Sequence, residues 1–405
     1  LQTAGALFCA AVSFVLLVWL GRTLGAELFG HYVLVLNAAT IALVAIEGGW
    51  PNFVYRQTVA SGRSVVDGQA ARRRALAHIV LVGGVLALGA ALAALFTGPM
   101  TTVLAAALVC MGLVALMNTV SAAMRGAGRF ALEAAWQSAG RVVSALLIVG
   151  AVLWLSRGWL GWIFLAWAAG LLLVVLVMGR AGLARPDWRG WGQSVVCVLP
   201  LMYLAGALAL LLKLDVLLLG ALAAADVKLS NYAAVTRFVE AGLLLFAPLT
   251  NVLLREFRLV AEQEAVFATT LRRWLSFALA AGFVVVAAAF LFGQRLVVLV
   301  FGAAYEGAGS LLPWVALMLP FAFANLVLMQ AWIARERDSL LAVWVVSSVA
   351  VLVAAIWAGW QTLGLLGVAL AVAVTHAGLF LALWVGLSRH LPVFRRRGST
   401  IGIAW

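Results

Sequence analysis

Five ionisable side chains lie inside segments of this chain that are otherwise apolar, and they are the residues best placed to do chemistry. They are Glu47, Lys213, Asp215, Arg237 and Glu240. A charge in the bilayer interior costs roughly 3 kcal/mol on insertion scales, so such charges usually pair with one another or face a water-filled cavity. These five residues are therefore candidate binding or coupling groups.

The spacing of four of these residues limits how they can meet. Lys213 and Asp215 are two positions apart, which is about 200° around an α-helix, so they point to different faces. Arg237 and Glu240 are separated by three positions, which predicts an ion pair on one helix face. Lys213 lies eight residues before the end of the apolar segment at 194–221. At about 1.5 Å per residue this distance is about 12 Å, which places Lys213 close to the bilayer midplane.

Two interpretations of these four charges stay open at this point. In one, they form an ion-pair network that clamps the seventh and eighth apolar segments together. In the other, Lys213 and Arg237 line a cavity and attract an anionic substrate, while Asp215 or Glu240 titrates or orients them. Both can hold, because a cation that faces a cavity still benefits from a nearby carboxylate.

Glu47 stands beside residues that weaken a helix, namely Gly48, Gly49 and Pro51. Broken helices at membrane depth are tolerated chiefly where they line a cavity or are covered by protein. Glu47 is thus a candidate coupling or gating group. The alternative is an ion pair with Arg56 near the inner interface.

The segments that carry these residues are long enough to cross a membrane. The chain is 66% hydrophobic and 10% charged, with a mean hydropathy of +1.13, whereas globular chains are about half apolar and a quarter charged. About 20 apolar residues span the hydrocarbon core as a helix. We predict an all-α membrane protein with twelve spans, at residues 4–20, 31–53, 76–96, 101–123, 142–156, 160–178, 194–221, 231–253, 274–293, 309–331, 340–358 and 364–387.

Basic residues recur in every second gap between the spans. One set of gaps holds 21 of the 27 basic residues, the other holds 4, and 2 lie inside spans. Cytoplasmic loops carry the excess of Lys and Arg, so both termini are predicted to be cytoplasmic. The net charge of +13 then reflects loops that face anionic lipid, and no nucleic-acid partner is expected.

An internal repeat of about 200 positions places Phe29–Tyr32 beside Leu229–Tyr232. An even number of spans separates the copies, so they have the same orientation and a repeat axis along the membrane normal. This predicts a six-helix bundle at residues 1–178, a cytoplasmic connector at 179–193, and a second six-helix bundle with a basic tail at 194–405. We expect the two bundles to surround a central cavity.

The sequence holds no recognisable catalytic constellation. The four histidines are scattered, the three cysteines are embedded in apolar runs, and Gly126 to Gly128 lacks the third glycine of a nucleotide fingerprint. We therefore expect no enzyme activity, no cofactor and no metal.

Several short motifs agree in order and spacing with one known family. Gly21–Tyr32 resembles a G-R-x-L-G-x-x-x-F-G-x-Y turn that follows the first span. Further matches are Glu47-Gly48-Gly49 with Arg56, Met124–Phe130 (R-G-x-G-R), Asp215–Gly220 (D-x-x-x-L-G), Asn231–Arg237 (Y-x-A-A-x-R, with Val235 in place of the second alanine) and Phe301–Glu306 (F-G-x-x-Y). Together they resemble the Wzx-type polysaccharide flippases of the multidrug/oligosaccharidyl-lipid/polysaccharide exporter superfamily, over residues 15 to 390.

The resemblance implies a flippase that moves an undecaprenyl-diphosphate-linked oligosaccharide outward across the bacterial inner membrane by alternating access. Arg22, Glu47, Asp215 and Arg237 match the family's cavity pattern, and Lys213 is added from its depth and charge. The implied partners are the lipid-linked substrate, membrane lipids, a polysaccharide polymerase and a chain-length regulator. The chain lacks the two extra spans of the fourteen-helix lipid II flippases, which argues against a peptidoglycan precursor as cargo.

Two other functions were weighed against this one. A multidrug or metabolite antiporter of the same fold would need acidic groups in its cavity, whereas Lys213 and Arg237 favour an anionic cargo. A membrane-embedded glycan enzyme, such as a polymerase or glycosyltransferase, usually carries large outward loops, and the predicted outward loops here are short.

Overall fold

The computed structural model describes residues 2–60, 65–155, 159–178, 185–223 and 227–390, and these residues form helices joined by short turns. The helices are α1 (Gln2–Glu47), α2 (Trp50–Ala60), α3 (Val65–Thr97), α4 (Pro99–Gly126), α5 (Phe130–Trp154), α6 (Gly161–Met178), α7 (Trp191–Ala223), α8 (Val227–Leu259), α9 (Glu264–Phe301), α10 (Glu306–Gly309), α11 (Leu312–Ala316), α12 (Leu319–Ala334) and α13 (Asp338–His390).

The described helices account for the twelve predicted spans. Nine stretches are long and apolar enough to cross a membrane, and two of them, Gly5–Val59 and Ser339–Arg389, contain 55 and 51 residues, which is enough for two crossings each. Each has a glycine with positive φ where two helices meet at a kink, Gly25 (φ 77°) in α1 and Gly364 (φ 59°) in α13. The remaining crossing is α8, a 33-residue helix whose polar residues lower its hydropathy.

The third and fourth predicted spans are joined by a turn of a single residue. The helix α3 ends at Thr97 and α4 begins at Pro99, with Gly98 (φ 100°) between them. Proline at the first position of a helix gives up only an N–H that has no partner within the helix. Residues 156–158, near the boundary between the fifth and sixth predicted spans, lie outside the described residues.

Most helices extend past the apolar segments at the ends that carry arginine. Because α3 begins at Val65, Arg72 to Arg74 lie on the helix itself, and only residues 260–263 separate α8 from α9. The predicted loops at these two places are wrong in length, because hydropathy detects the part of a helix in hydrocarbon and misses the turns that continue into the headgroup layer.

The predicted start of the fifth span, at residue 142, is wrong. The helix α5 begins at Phe130, so Arg141 lies near the middle of a 25-residue helix and not in the gap between spans. The polar residues of its first half caused the error, above all Glu133. This carboxylate is buried and accepts a 2.5 Å hydrogen bond from the Ser121 hydroxyl on α4, so it is satisfied inside the helix packing.

Contacts group the chain into two compact units, Leu1–Lys213 and Leu214–Trp405, whose boundary falls within α7. In the N-terminal unit, α3 packs on α4, and α5 packs on α1 and α6. In the C-terminal unit, α12 packs against α8, α9 and α13. The connector predicted at 179–193 stays a prediction, since residues 179–184 lie outside the described part of the chain.

Candidate functional site

The second crossing of the N-terminal unit is broken where the sequence predicted a weakened helix. The helix α1 ends at Glu47, and Gly48 (φ 57°) and Gly49 (φ 73°) separate it from α2. Residues with a Cβ rarely adopt these angles, whereas glycine does so without strain. Pro51 occupies the first turn of α2, where a missing N–H costs little.

The Glu47 carboxylate at this break is held by an amide. Asn118 of α4 donates a 3.0 Å hydrogen bond from Nδ2 to Oε2 of Glu47, and both side chains are half-buried. Among the described residues Glu47 forms no salt bridge with Arg56, so the pairing that the sequence left open is not formed. The carboxylate is instead coupled electrostatically to Arg125 of α4.

A histidine caps the carbonyl group that the break leaves exposed. The Nε2–H of His78, on α3, donates a 2.9 Å hydrogen bond to the backbone oxygen of Ala45. The buried imidazole packs between the rings of Trp50 and Trp191, with centroid distances of 5.7 and 6.1 Å. A carbonyl near the end of a helix has no partner within the helix, so His78 supplies the bond that an unbroken helix would provide.

Arg141 lines a recess in the same unit. The lining residues include Asn118, Gln137 and Trp167, and the Arg141 guanidinium carbon lies 5.9 Å from the centre of the Trp167 ring. Among the described residues, Arg141 makes no salt bridge with a carboxylate. The free space in the recess is about 20 Å³, enough for about one water molecule and far below the roughly 300 to 1,000 Å³ of pockets that enclose a drug-sized ligand. In this arrangement the recess can therefore admit one small polar group and not a whole glycan.

In the C-terminal unit, a phenol binds the carboxylate of Asp215. Tyr232 of α8 donates a 2.8 Å hydrogen bond from its hydroxyl to Oδ2, and the backbone N–H of Val216 donates one to Oδ1 at 2.8 Å. Asp215 and Tyr232 are both buried. The clamp between α7 and α8 that the sequence predicted thus exists in part, and a tyrosine makes it.

The predicted ion pair within α8 is confirmed. Arg237 Nη1 lies 2.8 Å from Glu240 Oε2, and the exposed fractions of the two side chains are 4% and 24%. The guanidinium is therefore enclosed, while its partner carboxylate reaches a more open environment. An enclosed cation with a partly open partner can exchange that partner for another anion at a smaller desolvation cost than a fully buried pair.

The other two candidate residues lie on separate helices. Lys213 is half-buried on α7, ten residues before the end of that helix. Arg22 is exposed on the first half of α1, three residues before the break at Gly25. Each is therefore assigned to a helix and a degree of exposure, and the roles expected for them remain predictions.

The Phe301–Glu306 motif forms a turn at the end of α9. Residues Ala303–Tyr305 form one 3-10 turn, and the Tyr305 ring packs 5.4 Å from that of Phe301. Burial raises the pKa of the Tyr305 phenol above its ordinary value. This tyrosine therefore stays neutral and anchors the turn.

The described residues offer no metal-binding cluster. No three His, Cys, Asp or Glu side chains within 2–60, 65–155, 159–178, 185–223 and 227–390 come together as a metal ion requires. The groups that the structure places at helix breaks and in the core are cations, carboxylates, amides and phenols. They can bind and release charged groups or protons.

The fold of the chain is similar to that of several solved membrane proteins. It superposes on the inward-facing conformation of a multidrug resistance MATE family transporter of the MOP superfamily with a TM-score of 0.78 and 11% identity, covering 96% of both chains. The lipid II flippase MurJ, in an inward closed conformation, gives a TM-score of 0.75 and 12% identity over 95% of this chain and 87% of the other. A MATE in a bent conformation gives 0.64 and 13% over 98% and 95%.

These likenesses establish the fold, a multi-pass helical membrane protein. No family model and no curated protein sequence matches the chain.

Proposed function

We propose that the protein is a flippase that translocates an undecaprenyl-diphosphate-linked oligosaccharide across the bacterial inner membrane by alternating access. A cavity lined by cations would receive the diphosphate-sugar headgroup while the polyprenyl tail stays in lipid. The order of motifs along the chain supports this cargo, and so does the number of cations at membrane depth.

The observation that carries the proposal is Arg141. Its guanidinium lies near the middle of a membrane-length helix, in a recess with two amides, and makes no salt bridge within the described residues. An intramembrane cation of this kind is costly unless an anion compensates it. A phosphate group is the natural partner, since guanidinium binds phosphate oxygens through two parallel hydrogen bonds.

Arg237 and Lys213 supply two further cations at membrane depth. Arg237 is held by Glu240, which keeps the cation oriented when no cargo is bound. Glu47 and Asp215 are the carboxylates that we assign to coupling or gating, because Glu47 ends a broken helix and Asp215 joins two helices. Arg22 is assigned to the pathway on the resemblance of its turn.

The proposal includes an orientation and partners. Both termini face the cytoplasm, because 20 of the 27 basic residues still lie at alternate gaps on one side once Arg141 is assigned to α5. A polysaccharide polymerase and a chain-length regulator would act on the product after it reaches the outer leaflet.

The test is complementation in the source bacterium after deletion of the gene. We expect loss of surface glycan and accumulation of the lipid-linked intermediate in the inner membrane, both restored by the unaltered chain. Lys213→Gln and Arg237→Gln should each abolish export at normal expression. The matched control is Arg273→Gln, since Arg273 forms an ion pair with Glu256 while its side chain is 69% exposed.

The possible outcomes distinguish an error in the proposed cargo from an error in the roles proposed for Lys213 and Arg237. If deletion leaves the glycan and its lipid-linked intermediate unchanged, the proposed cargo is wrong. If deletion abolishes export but both variants restore it, the cargo stands and the role of the two cations is wrong.

A second candidate function is an ion-coupled antiporter for drugs or metabolites. The superposition on a multidrug resistance MATE transporter favours it, and Glu47 and Asp215 are acidic groups of the kind that a cationic substrate needs. Efflux of a cationic dye from cells that express the chain, lost in Glu47→Gln and Asp215→Asn, would support this function over the flippase.

A further inference from the structure

Two buried polar side chains that have not been discussed so far meet in the C-terminal unit. Asn325 of α12 donates a 3.0 Å hydrogen bond from Nδ2 to the backbone oxygen of His376, in the second half of α13. The exposed fractions of Asn325 and His376 are 2% and 5%. The contact therefore lies in the core, where α12 packs on α13.

Three polar atoms of this pair have no hydrogen-bond partner. They are Oδ1 of Asn325 and both ring nitrogens of His376. A neutral imidazole has one N–H donor and one lone pair, so the ring has both a donor and an acceptor unused. Buried polar atoms are nearly always paired, and an exception calls for an explanation such as a bound water, an ion or a functional role.

Among the residues that the structure describes, the imidazole forms no ion pair. Within its own unit α13 packs against α11 and α12, and residues 312–334 contain no titratable side chain. On α13 itself, the titratable residues nearest in sequence are Arg389 and His390 toward the C-terminus and Asp338 at the start. Arg389 is 13 residues away, about 20 Å along a helix.

We infer that His376 is a proton-binding site of the C-terminal unit, empty in the packed arrangement and occupied when water reaches the α12–α13 contact. An imidazolium ion in this dry core would have neither a counter-charge nor an acceptor for its second N–H, so packing favours the neutral ring. Hydration removes both penalties. Proton binding and opening of this contact are therefore linked, because whatever favours one favours the other.

The amide of Asn325 can stabilise both the packed arrangement and the protonated ring. Its Nδ2 bond to the His376 carbonyl holds α12 against α13, while its free Oδ1 belongs to the same amide and can accept a hydrogen bond from the charged ring. Leucine has the same number and branching of side-chain heavy atoms but no polar atom, so Asn325→Leu removes both functions. The α12–α13 contact then keeps the bond from Trp332 Nε1 to the Leu383 carbonyl, becomes more apolar and offers the charged ring no amide acceptor, so hydration and proton uptake should become harder.

The experiment is nuclear magnetic resonance of the full chain in nanodiscs with ¹⁵N-labelled histidine, because the chain has only His31, His78, His376 and His390. His376 is assigned by loss of its signal in His376→Gln. If that variant does not fold, His31→Gln, His78→Gln and His390→Gln assign it by elimination. The half-buried His31 on α1 serves as the reference for an accessible ring.

When the pH is lowered from about 8 to well below about 5, past the range in which histidine ordinarily changes charge, we expect the neutral His376 signal to give way to a separate imidazolium signal in slow exchange. In Asn325→Leu the midpoint should fall by about half a pH unit or more, a change of about threefold in proton affinity. A His376 ring that stays neutral throughout, or whose signal moves continuously like that of an accessible ring, overturns the inference. This result does not depend on the cargo, so it is separable from the proposed function.

Discussion

The hydroxyl of Tyr232 lies 2.8 Å from Oδ2 of Asp215, and this hydrogen bond joins two helices of the fold through a buried carboxylate. The sequence showed that Lys213 and Asp215 point to different faces of α7, and it suggested an ion pair as the clamp to α8. The Tyr232 phenol, which carries no charge, forms one such contact. Asp215 can therefore keep or lose its own charge while the contact between the helices persists.

The first prediction concerns this bond. Tyr232→Phe removes the donor and leaves the carboxylate with one hydrogen bond fewer, which should lower the free energy of unfolding by about 1.5 to 3 kcal/mol. Asp215→Asn keeps an oxygen that can accept from Tyr232, so it should be less destabilising. Thermal unfolding of the purified variants measures both. Equal destabilisation by the two changes would show that the charge, and not the hydrogen bond, holds the helices.

The second prediction concerns the break in the second crossing. Gly49→Ala places a Cβ 2.8 Å from Leu201 Cβ, at a residue with φ 73°. The left-handed conformation alone costs about 1 to 2 kcal/mol for a residue with a side chain, and the close approach adds to it. We expect a lower unfolding temperature and reduced transport.

The control for this break is Gly84→Ala in the middle of α3. A Cβ at Gly84 meets nothing within 4 Å, and alanine is favoured over glycine in a helix by about 1 kcal/mol. This variant should be neutral or more stable. If Gly49→Ala behaved in the same way, the break would not require glycine.

The sequence predicted the local features of this molecule better than it predicted the tertiary contacts. Apolar length predicted the spans, and glycine beside Glu47 predicted the broken helix. The i, i+3 spacing predicted the pair of Arg237 with Glu240. These features depend on residues that are close in the chain.

Contacts between distant residues could not be predicted in the same way. Asn118 is 71 positions from Glu47 in the sequence. The residues next to either one do not indicate that the two side chains form a hydrogen bond. Arg141 was misplaced because buried Glu133, satisfied by Ser121, resembles a loop residue in a hydropathy profile. A polar residue inside an apolar run was the available signal in each case, since such residues need partners.

The third prediction tests the histidine cap. His78→Phe keeps an aromatic ring between Trp50 and Trp191 but removes the N–H that binds the Ala45 carbonyl. A buried carbonyl left without its partner costs about 1 to 3 kcal/mol, so the unfolding free energy should fall by that amount. His78→Gln restores an N–H donor and should recover part of the loss. Equal stability of the phenylalanine and glutamine variants would contradict the capping role.

The fourth prediction separates a structural from a functional role for Arg141. If this arginine served packing, its loss would lower stability. It makes no salt bridge among the described residues, so Arg141→Gln removes a charge from a half-buried recess without leaving a carboxylate unpaired. Stability should therefore stay constant or rise, while export falls by about tenfold or more, equivalent to about 1.4 kcal/mol of lost interaction with the cargo.

Arg141→Lys completes this test. Lysine keeps the positive charge but cannot form two parallel hydrogen bonds to one phosphate, so export should lie between that of the unaltered chain and that of Arg141→Gln. Arg273→Gln, on an exposed ion pair, should leave export unchanged. Surface glycan measured beside the unfolding temperature of each variant gives both readouts. A fall in stability that accompanies the fall in export would assign Arg141 to the packing of α5, because a residue that acts on the cargo alone loses export without losing the fold.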